Sequence, residues 1–395
     1  MEGYALDWLN LVIRWVHLIT GIAWIGASFY FVWLDNSLLP PQSARDRDQG
    51  IGGELWAVHG GGFYHVRKFR VAPEALPAPL HWFKWEAYST WLSGFALLVV
   101  LYYANARTYM IDPSVAALAP WQAIAISAGL LVGGWLFYDQ LCRRLGLDRE
   151  RLLAAAMIVF LSLVAFGLSK LFAGRAVYLQ IGAMLGTMMA ANVLFVIIPS
   201  QRQLVVAKEQ GRAPDPVHGQ RGKQRSVHNN YFTLPVLFTM ISSHYPMTWG
   251  HPRGWLVLVA IALIVAYVRH FFNLRHKGVT RWSILVTAAA AAFVVAYAIA
   301  PERPAASAAT PAFPRVQAIV EQRCTGCHAE HPTHAGFATA PKGVLLDSPE
   351  RILAAVRQIH EQAVVTRAMP IGNLTAMTDA ERAELGAWIA AGAPR

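Results

Sequence analysis

Cys324-Thr325-Gly326-Cys327-His328 is the stretch that constrains this 395-residue chain most strongly. Two cysteines separated by two residues and followed by histidine are the attachment signature of c-type haem. The cysteines can add to the porphyrin vinyl groups as thioethers, and the histidine then ligates the iron. The alternatives are a zinc knuckle, which needs four ligands, and a redox pair beside a βαβ pattern; the sequence shows neither a second cysteine pair nor such a pattern. The motif therefore predicts one covalent haem c.

The second axial ligand of the iron must come from elsewhere in the tail. Small cytochromes c take Met or His at that position. Met369 is the strongest candidate, because the following Pro370 would rigidify the loop that presents the thioether. Four alternatives remain open: His331, His334, His360 and Met377. The first two lie close in sequence to the proximal histidine and would struggle to reach the opposite face of the ring.

Local signals predict three helices in the tail. One covers Pro314–Arg323 and leads into the haem motif. Ser348-Pro349-Glu350 has an N-cap serine followed by proline at the first helical position. Thr378–Glu381 is a capping box for a helix that ends near Gly392. We expect the apolar face of that last helix to pack on the first one; it carries Leu385, Trp388 and Ile389.

The first 300 residues are far more apolar than the tail, and eight of their segments approach the ~20 residues that span a bilayer. These segments are Leu9–Val32, Glu86–Tyr103, Pro120–Phe137, Leu152–Leu171, Val177–Ile198, Tyr231–Tyr245, Trp255–Phe272 and Trp282–Ile299. We therefore expect an all-α fold with a polytopic transmembrane helix bundle in residues 1–300. An Ala/Pro-rich linker would cover 301–314 and a small helical cytochrome c domain 315–395.

Charge placement gives the topology. The sixth segment is short and contains Pro235, so its length alone does not decide whether it spans. With eight spans and the N-terminus outside, the cytoplasmic loops carry 19 Lys and Arg and the opposite loops carry three. This split follows the positive-inside rule. Haem c attachment also requires the tail outside the cytoplasm, so both termini are expected outside, in the periplasm of a bacterium with the bundle in its inner membrane.

The net charge of +11 belongs to the membrane part, because residues 301–395 contain nine basic and nine acidic residues. A nucleic-acid partner is therefore not expected. Anionic lipid heads of the bilayer, and an anionic substrate, are the partners that basic cytoplasmic loops favour. Cys142, alone near the cytoplasmic membrane edge, is expected to be a small buried or free thiol.

Two histidines within predicted spans suggest a second cofactor. Arg14, His17 and Gly21 fall on one stripe of the first span, where the glycine would leave room for a flat ring. His244 ends a similar stripe on the sixth span. Both histidines would lie in the outer half of the bundle, where they could be axial ligands of a haem b beneath the periplasmic domain. The alternative is a pair of hydrogen-bonded histidines inside a bundle.

A second group of polar residues is predicted at the cytoplasmic side. Glycines that let backbone N–H groups approach a ligand, together with Arg, Asn and His, could bind a planar anion; a solvated basic face with interfacial anchors is the alternative. The group comprises His59, Gly60, Gly61, Gly62, Tyr64, His65, Arg67, His81, Lys84, Glu86, His228, Asn229, Asn230, His270 and Asn273.

Three stretches together resemble a known family. They are His17-Leu-Ile-Thr-Gly-Ile-Ala-Trp-Ile-Gly26, Trp85-Glu-Ala-Tyr-Ser-Thr-Trp-Leu-Ser-Gly94 and Ser226-Val-His-Asn-Asn-Tyr-Phe-Thr-Leu-Pro235. In these stretches the chain resembles the membrane-bound, cytochrome-c-type urate oxidases, which join an eight-span domain to a C-terminal cytochrome c domain. The resemblance implies oxidation of urate to 5-hydroxyisourate without peroxide. Electrons would leave through haem c to a soluble cytochrome or a terminal oxidase.

Given that resemblance, the cytoplasmic group supplies the candidate substrate-site residues: His65, Arg67, Glu86, His228 and Asn229. Arg could hold the urate anion, and a histidine with a pKa near neutrality could serve as base. His17 and His244 would serve the electron path. Two other classes stay open: a non-catalytic cytochrome subunit that relays electrons from a partner or quinol, and a transporter with a tethered redox sensor.

Overall fold

The structure is a computed structural model, and it describes residues 2–300, 310–334 and 337–395. Most of the described residues are helical. The predicted linker falls mostly on residues 301–309, which lie outside the described part. Its remaining residues lead directly into the first helix of the tail, which begins at Phe313.

Twelve helices lie in the described residues up to 300. They are α1 (Glu2–Ser37), α2 (Ala44–Asp48), α3 (Trp85–Leu97), α4 (Ala106–Tyr109), α5 (Pro120–Leu145), α6 (Glu150–Leu168), α7 (Gly174–Asn192), α8 (Ile198–Glu209), α9 (Pro216–Ile241), α10 (Pro246–Trp249), α11 (Gly254–His276) and α12 (Trp282–Ala298). Wider π-helical turns at Leu98–Tyr103 and Val193–Ile197 continue α3 and join α7 to α8.

Several helices are long and apolar enough to cross a membrane. Five such stretches occur in the described residues: Trp8–Ser37, Pro120–Leu145, Glu150–Leu168, Gly174–Glu209 and Gly254–His276. Helix α12 is apolar but has only 17 residues. The predicted second span falls on α3 with its π-helical continuation, and the predicted sixth falls mainly on the second half of α9. The helical character of these segments is confirmed, whereas the count of eight spans stays a prediction.

Helix α7 lies at the centre of the bundle and is buried over most of its surface. Small residues allow its close packing, as is usual where helices cross in membranes. A Cβ on Gly134 of α5 would lie 2.6 Å from Cγ of Met184, and a Cβ on Gly182 would collide with the hydroxyl of Thr239 on α9. The position of α9, which carries several candidate site residues, is therefore fixed by backbone-close contacts with α7.

One element departs from the all-α prediction. Strands β1 (Ile51–His59) and β2 (Gly62–Phe69) form an antiparallel hairpin. Gly60 and Gly61 have φ angles of 55° and 81°, which the two central residues of a tight hairpin turn require and which glycine tolerates best. The glycine run that was expected to approach a ligand is therefore a hairpin turn.

The tail forms a separate helical unit. Its helices are α13 (Phe313–Arg323), α14 (Pro349–Ala354), α15 (Val356–Ile359) and α16 (Asp379–Ala390). The predicted caps are confirmed: the hydroxyl of Ser348 accepts the backbone N–H of Arg351, and Thr378 and Glu381 form the reciprocal capping box. The predicted packing of α16 on α13 is confirmed too, since Trp388 lies 6.0 Å from Phe313 between ring centroids within one apolar core.

The tail unit sits directly on the membrane-type helices. A Cβ on Gly250, after α10, would collide with the carbonyl oxygen of Thr366. A Cβ on Gly372 would lie 2.8 Å from the carbonyl oxygen of Thr108 and 2.9 Å from that of Ile111. The two parts thus meet through main chain at two places.

Candidate functional site

A single cavity of about 1060 Å³ lies between the two parts of the chain. Its walls are mostly apolar, and its volume reaches the upper end of the ~300–1,000 Å³ typical of ligand and cofactor sites. The tail contributes Cys324, Cys327, His328 and Met369 to its lining, and the membrane part contributes His17 and His244. The residues expected to bind haem c and those expected to bind haem b therefore face one continuous space.

The geometry of His328 suits an iron ligand. Its Nδ1 atom lies 3.0 Å from the carbonyl oxygen of Val344. A carbonyl only accepts, so Nδ1 carries the proton and Nε2 keeps its lone pair. This is the usual arrangement of metal-ligating histidines, whose other ring nitrogen is held by a carbonyl or carboxylate.

The two thiols lie beside this histidine in the same wall. Burial raises the pKa of Cys324 to about 12 and also raises that of Cys327. Redox-active Cys-x-x-Cys pairs have lowered pKa values instead. Within the described residues, no group of three His, Cys, Asp or Glu side chains is arranged for a metal ion. The residues present fit haem attachment better than either alternative.

Two of the predicted distal ligands, Met369 and His334, line this cavity. Its carbonyl oxygen accepts a hydrogen bond from Nη1 of Arg382 at 2.7 Å, and its N–H donates to Gln362 at 2.9 Å. Met377 lies instead in the apolar core of the tail, and His331 and His360 are not part of the lining. Arg382 is buried and was not identified from the sequence; it holds the segment that presents Met369.

His17 occupies the membrane end of the cavity. Its Nδ1 atom lies 3.0 Å from the carbonyl oxygen of Thr90 and 3.1 Å from the hydroxyl of Ser93, both on α3. Nδ1 therefore donates to the carbonyl, and Nε2 keeps its lone pair. The flat ring packs on Gly94, where a Cβ would lie 2.8 Å from Cε1. His244, exposed in the 3-10 turn Ser242–His244 that follows α9, lines the same cavity.

A hydrogen-bonded chain surrounds His228 of α9 on the far side of the bundle. Its Nδ1 lies 2.8 Å from the hydroxyl of Tyr138, and its Nε2 lies 2.9 Å from Oε2 of Glu150. The Glu150 carboxylate only accepts, so Nε2 of His228 carries the proton and Nδ1 accepts from the Tyr138 hydroxyl. That hydroxyl in turn accepts from Nδ2 of Asn192 at 3.1 Å. We name Tyr138, His228 and Glu150 the relay cluster. The carboxylate of Glu150 is about half exposed, whereas Tyr138 is fully buried, so the chain leads from the bundle to its surface.

Other polar groups surround the relay cluster. Asn229 accepts from Asn192 at 2.9 Å and donates to the carbonyl of Met189 at 3.0 Å. Arg225 and Asp139 form a buried ion pair at 2.7 Å. The predicted candidates His228 and Asn229 thus lie in one buried network. Neither Tyr138 nor Glu150 was identified from the sequence, because they lie 90 and 78 residues away from His228 along the chain.

His65 and Arg67 lie on the hairpin instead. The ring of His65 stacks on Trp56 and lies 2.7 Å from Oε2 of Glu54, and Arg67 pairs with Asp46 at 3.2 Å. Glu86 lies at the start of α3, and its buried Oε2 has no hydrogen-bond partner among the described residues. No hydrogen bond or ion pair between described residues joins these three to the relay cluster.

Fold and site together define a mostly helical protein with several membrane-type helices and a buried polar network. A family model described as urate oxidase N-terminal matches residues 3–300. The chain belongs to that family, which relates it to oxidoreductases that act on urate. No curated protein and no solved structure matches the chain.

Proposed function

We propose that the protein oxidises urate to 5-hydroxyisourate and passes the electrons through haem c to a respiratory acceptor, with no peroxide formed. The main support for this proposal is the cavity between the helices of residues 3–300, which match the family model, and the haem-attachment motif of the tail. The proposal places the bundle in a bacterial inner membrane with eight spans and the tail in the periplasm. The acceptor would be a soluble cytochrome or a terminal oxidase.

The reaction balances without oxygen as a reactant. The urate monoanion and one water give 5-hydroxyisourate, one proton and two electrons, as a bond forms between C5 and the water oxygen. Haem c, when bound, would take electrons one at a time. The chain itself must hold the anion, exclude other reactions and carry the proton away.

The relay cluster gives the proton a route out. Tyr138 would accept the proton as it donates its own to Nδ1 of His228, and His228 would pass a proton from Nε2 to Glu150. Each transfer runs along a hydrogen bond of 2.8–2.9 Å, which is within the reach general acid–base transfer requires. His228 would thus act one step behind the group that faces the substrate, with Asn229 bracing the network.

Haem c would be attached to Cys324 and Cys327 and ligated by His328 and Met369. A haem b held by His17 and His244 would lie between the substrate site and the haem c of the tail.

The remaining candidates concern the substrate site. Glu86 has a free carboxylate oxygen for a substrate N–H. His65 and Arg67 remain candidates for the substrate site, although a role there would require them to release Glu54 and Asp46.

Anaerobic addition of urate to the purified, oxidised protein tests the proposal. We expect the reduced α-band of haem c to appear in proportion to urate, with two equivalents of haem c reduced per urate when the oxidised protein is in excess. A relay subunit would be reduced by a quinol but not by urate. A transporter would move solute with no change in the haem spectrum. Reduction by quinol but not by urate, or solute movement without a spectral change, would refute the proposal.

A further inference from the structure

A second buried polar cluster lies between α1, α9 and α11, apart from the relay cluster. Asn230 of α9 points toward α11, where its Oδ1 accepts from Nε of Arg269 at 2.8 Å and from Nδ2 of Asn273 at 3.0 Å. The Arg269 guanidinium lies 3.8 Å from the ring centroid of Phe29 on α1. We name Asn230, Arg269 and Asn273 the α11 cluster.

The α11 cluster has more hydrogen-bonding capacity than the protein uses. Nη2 of Arg269, Nδ2 of Asn230 and Oδ1 of Asn273 are all buried, and none has a partner in the described part of the chain. The three side chains are each more than nine-tenths buried. Buried polar groups are nearly always satisfied, so three open atoms around one amide need an explanation.

The positive charge of Arg269 also lacks a counterion among the described residues. Across the described residues, no carboxylate lies within ion-pair distance of it. The next formal charge along α11 is also basic, at Arg275. A buried cation without a counterion is costly, and an anion that reached it would recover that cost.

We propose that the α11 cluster binds the negatively charged edge of the substrate, an inference that rests on the function proposed above. Two donors, the Arg269 guanidinium edge and the Asn230 amide, face acceptors of the ligand, and the Asn273 carbonyl faces a ligand N–H. A planar anion with alternating C=O and N–H groups, such as urate, presents this pattern. A chloride or sulfate ion carries no proton at neutral pH, so it offers acceptors only and leaves Asn273 unpaired.

Equilibrium dialysis of urate against the full-length protein tests the site. The protein is first reduced with dithionite, so that binding is measured without turnover. Arg269→Gln removes the charge, and Asn273→Asp places a carboxylate where the ligand would sit. We expect each variant to bind urate about tenfold more weakly or worse. Arg275→Gln makes the same charge change at an exposed position of the same helix and should bind as the wild type does.

Wild-type affinity in both variants overturns the site, and so does an absence of saturable urate binding by the wild type. Displacement of urate by equimolar sulfate also overturns it, because sulfate has no donor for the Asn273 carbonyl. The melting temperature gives a second readout, since urate should raise it in the wild type and not in the variants. Binding that depends on Arg269 without urate-driven haem reduction would support the site and refute the proposed oxidation.

Discussion

The imidazole of His17 packs so closely on Gly94 that a methyl group at that glycine would lie 2.8 Å from Cε1. This contact and the hydrogen bond to Thr90 together fix the orientation of the ring. The ring of a proposed haem ligand on α1 is therefore held by a helix that lies about seventy residues further along the chain.

Gly94→Ala should displace this ring and prevent binding of the proposed haem b. We expect a pyridine haemochrome spectrum of the variant to lose its b-type component and keep its c-type component. Gly133→Ala is the matched control, because that helical glycine has open space around its Cβ position. Equal b-type content in wild type and Gly94→Ala would contradict the assignment of His17.

Met369→His should change the haem c environment without releasing the haem. Replacing thioether by imidazole lowers the reduction potential, and on the order of 0.1 V is expected within the ~0.8 V range that axial ligands set. Potentiometric titration of the c-type band measures the change. Met377→Leu is the control, because Met377 lies in the apolar core of the tail and should leave the potential unaltered.

Tyr138→Phe should interrupt the relay cluster. Loss of a positioned proton-transfer group costs about a hundredfold in rate, so urate-dependent haem reduction should fall by that order. Tyr178→Phe removes another buried hydroxyl, one that donates to the Gly254 carbonyl at 2.8 Å, and should cost only about 1 kcal/mol of stability. If both variants turned over urate at the same rate, the relay would be wrong.

The tail should be destabilised by acid through Glu381. Burial disfavours its carboxylate, but hydrogen bonds from Arg323 and from the Thr378 cap outweigh burial and hold its pKa below the ordinary value. Its stabilisation is therefore complete above the ordinary carboxyl pKa and is lost as pH falls through the lowered one.

Glu381→Gln should remove about 1–3 kcal/mol at neutral pH, because a buried charge-assisted pair with Arg323 is broken. It should also flatten the acid dependence. Hydrogen exchange of the α16 amides provides a local measurement. Glu384→Gln breaks the more exposed pair with Arg315 and should destabilise the tail much less.

The sequence predicted best where the signal was local. The caps at Ser348 and Thr378 and the packing of α16 on α13 follow from residues three or four positions apart. The helices of the first part follow from runs of apolar residues. The hairpin was missed because Gly60–Gly62 satisfies both a ligand loop and a tight turn, and only the strand pairing distinguishes them.

The site was harder because its contacts join different helices. Gly21 was expected to leave room for a flat cofactor ring beside His17, and nothing in the sequence indicated that Gly94 on α3 packs on the imidazole itself. Arg269 was not identified from the sequence, because its lack of a counterion becomes visible only when α1, α9 and α11 are assembled. A single helix stripe carries no information about which neighbour it meets.

The main-chain contact between Gly250 and Thr366 has a consequence for electron transfer to a partner protein. Main chain against main chain leaves the tail no freedom to swing between donor and acceptor. A haem held there would stay in a fixed position relative to the helices. Its redox partner would have to reach it by diffusion along or above the membrane surface.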